Sequence, residues 1–116
     1  MAVYLIANVK VTDQSWIPSY AANVPDLVHK HGGKYLSRSA NITTLEGERP
    51  DVTVIALVTF PSLEAVQAFA DDPAYAPFAR ARQAGSVCSF HVIDDTDVAG
   101  AIHYLADGSI SIGPQV

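Results

Sequence analysis

The sequence predicts an α+β fold, an antiparallel sheet with its helices packed on one face. Three observations lead there. Four short apolar runs rich in β-branched residues are spaced along the first 93 residues. Helix-start and helix-stop residues bracket the stretches between the first and second runs and between the third and fourth, whereas turn residues alone join the second to the third. With 116 residues, 49% hydrophobic and only 16% charged, the chain is one domain that buries roughly two thirds of the surface its unfolded form exposes. That excludes disorder.

Residues 2–11, AVYLIANVKV, read as the first strand, with Asn8 as a polar intruder. Thr12 to Ser15 then supply helix-start chemistry. Pro18 is tolerable only in a first turn, which favours Ser15 over Asp13 as the N-cap. This helix runs to about His31, kinked or split at Pro25, and Gly32-Gly33 stop it. The second strand spans Lys34 to about Thr44, with a bulge expected near Ser39-Ala40-Asn41, and residues 46–51 are turn material. Residues 52–60, VTVIALVTF, are the strongest strand. Pro61 ends it and Ser62 caps a helix through about Ala70. Asp72 and Pro73 fit the N-cap and N1 of another short helix ending before Gly85, and Val87 to Ile93 form the fourth strand.

The order is the split βαβ, ferredoxin-like βαββαβ arrangement. Right-handed crossovers place both helical connections on one face of the sheet. The domain covers residues 1–94, and residues 95–116 form an extension: a solvated linker at Asp94–Asp97, then a β-hairpin over 101–112. In 52–60 both faces are mainly apolar, with Ile55 and Leu57 on one and Val52, Val54, Ala56, Val58 and Phe60 on the other. Too little chain remains to cover the second face. A homodimer through the sheets is therefore expected.

Charge and composition narrow the function. A net charge of −5 argues against nucleic acid and anionic membranes as partners. No apolar run approaches the ~18 residues of a membrane span. The first residues lack the basic stretch of a secretory leader, and a single cysteine, Cys88, fits a reducing cytoplasm.

The segments Thr12-Asp13, Tyr20, Val24-Pro25, His31-Gly32-Gly33-Lys34-Tyr35-Leu36, Arg38, Leu45-Glu46-Gly47, Phe60-Pro61-Ser62, Glu64-Ala65, Pro73-Ala74-Tyr75 and Arg82 occur in this order. In them the chain, over about residues 2–93, resembles the family called domain of unknown function 1330, of the dimeric α/β-barrel superfamily. The resemblance implies a ferredoxin-like protomer and a sheet-to-sheet dimer, and no particular reaction. The superfamily includes cofactor-free monooxygenases, polyketide cyclases, muconolactone isomerases and haem enzymes. Gln14, Ile17 and Ser19 stand where the family usually has proline, tyrosine and glutamate, so a cavity lined by the first helix departs from the family norm.

Candidate chemistry follows from residue type. His29 and His31 are two apart, about 200° around a helix, and cannot share a metal as an i, i+4 pair would. With no phosphate loop, dinucleotide fingerprint or nucleophile elbow, no cofactor and no metal are expected. His91, on a rigid strand, is the candidate catalytic base, and Asn8 the amide that steadies a developing enolate. The two need not touch, but with both facing the helices they would put polar groups into an apolar cavity. His31 matches the family motif, and its competing reading is a helix-terminal imidazole. Arg38, Glu46 and Arg82 are candidate ligand-binding residues; a guanidinium fork suits an anionic group, and ion pairing is the plainer account. Tyr20 and Tyr35, with Trp16, Tyr75 and other aromatics, could line a cleft for a flat ligand. Cys88 reads as packing.

The expected function is a cofactor-independent small-molecule enzyme of cyclase, isomerase or dehydratase type, moving a proton on an apolar, aromatic or polyketide-like substrate. A cofactor-free monooxygenase belongs to the same class. The alternative is a non-catalytic dimeric module that binds a small ligand or a protein.

Overall fold

Alternation along the first strand decides the layering. In β1 (Val3–Val11), Val3, Leu5, Ala7 and Val9 are buried, and the residues between them are only half-buried. A computed structural model of the chain describes residues 2–101. In it β1 pairs antiparallel with both β3 (Val54–Phe60) and β4 (Ser86–Asp94), and β2 (Lys34–Ser39) pairs with β3, giving the order β2-β3-β1-β4. Two helical connections on one face and this strand order make a four-stranded, ferredoxin-like α+β fold, as expected.

Helix α1 (Ile17–Lys30) follows a 3-10 turn, Gln14–Trp16. Asp13, not Ser15, caps that turn: its carboxylate accepts the Ser15 N–H at 2.8 Å. Pro18 sits in the first turn of α1 as expected, and Pro25 does not split the helix. Val24 and Val28, four apart and 1% and 3% exposed, hold this stretch against the sheet. Gly32, at φ 81°, ends α1 with the left-handed turn that a side chain would strain. Gly33 has a different reason, because a Cβ there would collide with Val28 and Phe60. Ser62 caps α2 (Leu63–Asp71) by accepting the Ala65 N–H.

Three boundaries differ from the sequence reading. β2 ends at Ser39, not near Thr44, and its bulge lies between Tyr35 and Ser37. β3 starts at Val54, because the chain at Thr53 is already bonded sideways to Val9 and Val11. Asp72-Pro73 opens a turn rather than a helix; α3 (Ala76–Ala84) starts one turn later with Pro77 in its first turn. Val98–Ala101 form a single helical turn, and the hairpin expected beyond Ala101 lies outside the described residues. Among the described residues no helix is long and apolar enough to cross a membrane.

The core lies between the sheet and the helices, with Leu5, Val58, Phe60, Val24, Val28 and Phe69 at its centre. Asp72 clamps the helical layer from its edge. It is 9% exposed and accepts His31 Nε2 at 2.8 Å, Lys30 Nζ at 3.0 Å and the Ala74 N–H at 2.9 Å. These donors, the His31 hydrogen bond foremost, hold its carboxyl well below the usual carboxylate range. A depressed carboxyl stabilises the fold above its unfolded pKa and loses that contribution as the pH falls toward the folded one. Asp72→Ala is expected to lower the melting temperature by several degrees at neutral pH. Lys10→Ala, which breaks only the exposed pair with Asp51, should leave it nearly unchanged. Circular dichroism melts at neutral pH and near pH 3 check both points: the gap between wild type and Asp72→Asn should narrow in acid.

Candidate functional site

Ala7 of β1 and Ala56 of β3 stand opposite each other on the helix face. Their rows on either side are filled by Leu5 with Val58 and by Val9 with Val54. Two small residues at the centre of the sheet leave a gap that α1 does not fill, since its inward residues at this level are Tyr20 and Val24. The result is a cavity of about 110 Å³ between the sheet, α1 and α3. Trp16, Tyr20 and Val24 wall it on one side, Phe69, Arg82 and Phe90 on another.

The bulge in β2 governs what reaches the cavity from the sheet edge. Tyr35 pairs with Val58 and Arg38 with Ala56, so both fall on the helix face although they are three apart in sequence. In an unbroken strand they would point to opposite faces. The row Arg38–Ala56–Ala7–Phe90 then crosses the whole sheet. Arg38 is exposed at the mouth, its guanidinium 4.4 Å from the Tyr35 ring centre.

Arg82 closes the other end. In the last turn of α3 it is 7% exposed, with its guanidinium 4.4 Å from the Phe90 ring centre. Its Nη2 donates a long hydrogen bond, 3.5 Å, to Tyr75 Oη, and its buried Nε has no partner among the described residues. Tyr75 Oη lies 2.8 Å from Tyr20 Oη. Burial first, then the neighbouring Tyr75, pushes the Tyr20 hydroxyl far above its ordinary pKa, and burial likewise raises Tyr35. Both are therefore neutral hydrogen-bond donors at physiological pH. Among the described residues that line the cavity there is no carboxylate and no imidazole. Arg82 and Phe90 also border a wider, more polar cleft of about 440 Å³ that contains Ser86 and Cys88.

Of the residues singled out from the sequence, Tyr20, Tyr35, Arg38 and Arg82 converge on this cavity. Asn8 and His91 do not. They lie on the opposite sheet face, where Asn8 pairs with Ser89 and His91, exposed, pairs with Ile6. Strand alternation separates them from the cavity: Phe90 and Val92 turn toward the helices, and His91 between them turns away. His31 is engaged by Asp72, and Glu46 is exposed in the loop between β2 and β3. No group of three or more potential metal ligands occurs among the described residues. The alanine floor and the Arg82–Phe90 stacking went unread in the sequence. The period-2 pattern that puts Leu5 and Val58 inside also puts Ala7 and Ala56 there, and is the signal that could have found the floor.

Comparison with known proteins agrees with this architecture. The family model described as domain of unknown function (DUF1330) matches residues 2–96. No curated protein matches the chain. Among solved structures, RPA0582, a protein of unknown function from Rhodopseudomonas palustris, is 15% identical, with a TM-score of 0.71 and 83% of each chain covered. SnoaB, a cofactor-independent oxygenase from Streptomyces nogalater, is also 15% identical, with a TM-score of 0.59 over 83% of this chain and 94% of its own. At such identity the likeness is one of fold.

Proposed function

As the chain belongs to the DUF1330 family, a domain of unknown function, we propose from its geometry that it is a cofactor-free enzyme acting on a small, largely apolar molecule of aromatic or polyketide type, held in the cavity over Ala7 and Ala56 as its enol or enolate. The observation that carries this reading is the chain of donors Arg82–Tyr75–Tyr20, which ends at the cavity wall. With Arg82 donating to the Tyr75 oxygen, the Tyr75 hydrogen goes to Tyr20 and the Tyr20 hydrogen is left for a ligand oxygen. A neutral, buried hydroxyl backed by a cation favours an oxyanion where charge develops, and one such donor is typically worth about 10²–10³ in rate.

The cavity has no general base among its described lining residues, so the bound molecule loses its proton to water. The site's contribution is to lower the ligand's own pKa by favouring the conjugate base. An enolate formed this way can isomerise, cyclise or, being electron-rich, react with dioxygen. SnoaB's description as a cofactor-independent oxygenase supports the last outcome by analogy of fold. A lining without a base is equally what a non-catalytic binding module would have, and turnover separates the two. Incubation of small aryl alkyl ketones in D₂O, under air and under nitrogen, should give deuterium exchange beside the carbonyl in both cases and oxygen uptake only under air. Tyr20→Phe should slow the exchange about 10²-fold, and Ala56→Leu, which fills the floor, should abolish it. Binding without exchange would replace the enzyme by the module.

The reading includes a homodimer through the open sheet face. Ile6, Ile55 and Leu57 lie there beside Val87 and Ile93, which are 64% and 56% exposed. His91 and Asn8 belong to that face and act in association, not in the cavity. Sedimentation at micromolar concentration should give twice the 12.3 kDa of one chain, and Leu57→Glu should give folded monomer. A wild-type monomer would contradict the interface.

A further inference from the structure

Arg82 is a buried cation, and among the described residues no carboxylate balances its charge. The ion pairs among the described residues are Lys10–Asp51, Lys30–Asp72 and His31–Asp72, and none involves it. An arginine does not shed its proton to escape such a site. A charge buried without a partner is strongly unfavourable, and folds that keep one have a counter-charge for it. What Arg82 has instead is a long bond to Tyr75, the face of Phe90, the Cys88 thiol and the Tyr20 hydroxyl close by, none of them a carboxylate, and an Nε with no acceptor among the described residues. Its five donors are arranged as a fork that matches a carboxylate through two parallel bonds.

We propose that the ligand supplies the counter-charge: the substrate is a small planar organic acid, its carboxylate held by the Arg82 fork and its ring lying over Ala7 and Ala56. This rests on the cavity being the ligand site, as proposed above, and adds the substrate's chemical class. Size limits the buried part of the ligand to a single small ring, since about 110 Å³ is less than the cavity of about 150 Å³ known to admit benzene. Position supports the acid. Apart from Arg82, Arg38 and the tyrosine hydroxyls the described lining is apolar, and Arg38, turned inward by the bulge, sets a second positive charge at the mouth through which an anion would enter.

Benzoate and its neutral counterpart benzyl alcohol, titrated calorimetrically into the full chain at neutral pH, test this. Benzoate should bind at least about tenfold more tightly than the alcohol, the ordinary advantage of a charge-assisted pair over an apolar contact alone. Arg82→Met should bring benzoate down to the level of the alcohol, and Arg82→Lys should retain part of the preference. The ligand-free Arg82→Met protein should melt at or above the wild type, because the unbalanced charge is gone. A merely structural arginine would do the reverse. Equal binding of the two probes to the wild type would overturn the acid while leaving the cavity as the ligand site. Binding of neither probe, or binding that Ala56→Leu leaves untouched, would overturn the cavity reading itself. Loss of benzoate binding in Cys88→Ser as complete as in Arg82→Met would move the anion to the wider cleft and overturn the placement. If Arg82→Met does not fold, the comparison of the two probes on wild type and Arg82→Lys decides the matter alone.

Discussion

A sheet whose two central strands meet at Ala7 and Ala56 cannot be closed by the helices above it. Everything distinctive about this protein depends on that constraint. On either side of the pair the rows hold Leu5, Val58, Val9 and Val54, large enough to fill the space under α1 and to fix its distance from the sheet. Once that distance is set, two methyl groups leave a gap, and a gap inside a close-packed interior forfeits dispersion contacts on every wall. A fold selected for stability alone would place larger side chains there. The loss is local, and the clusters around Phe60 and around the Asp72 clamp keep the layers together without the centre.

The polar groups around the gap are arranged by backbone features rather than by loops. A single bulge turns Arg38 to the same face as Tyr35. The last turn of α3 carries Arg82 inward over Phe90, while Tyr75 in the preceding turn reaches Tyr20 on α1. Tyr20, Tyr35, Arg38 and Arg82 sit on helices or strands, with only Tyr75 in a turn, which is what precise positioning of a ligand requires. The electrostatic character of the site is correspondingly one-sided. Two guanidinium groups and neutral hydroxyls face an apolar space, and no described lining residue carries negative charge. Under the proposed function, this charge pattern favours anions over neutral ligands.

Much of the fold was legible in the sequence, and the reasons are local. Val54 to Phe60, the Ser62 cap and Gly32-Gly33 each state their structure through alternation, hydrogen-bonding side chains or steric permission, and each appears where those rules put it. The site was only half legible. Tyr20, Tyr35, Arg38 and Arg82 were marked by type and by family resemblance, but their convergence depends on the register of β2 against β3, which a one-residue bulge decides. His91 and Asn8 were singled out for chemistry. Phase along the strand places them instead on the face turned away from the helices, a matter of odd or even position that the buried pattern of β1 settles. Asp72 shows the same limit from another side: its residue type fits a helix cap, yet its acceptors are used by the end of α1 and by a turn.

The central proposal is that Arg82, buried beside an alanine-floored cavity with no counter-charge among the described residues, takes an anion, and the Nε–H proton of Arg82 reports on it most directly. A buried Nε–H exchanges slowly with water and is visible by nitrogen-edited proton NMR at neutral pH, while those of exposed arginines fade. The account predicts one such slowly exchanging Nε–H signal, absent in Arg82→Lys, that moves downfield when benzoate is added and stays in place when benzyl alcohol is added. A signal that broadens into the exposed set, or that ignores benzoate at saturating concentration, would contradict it.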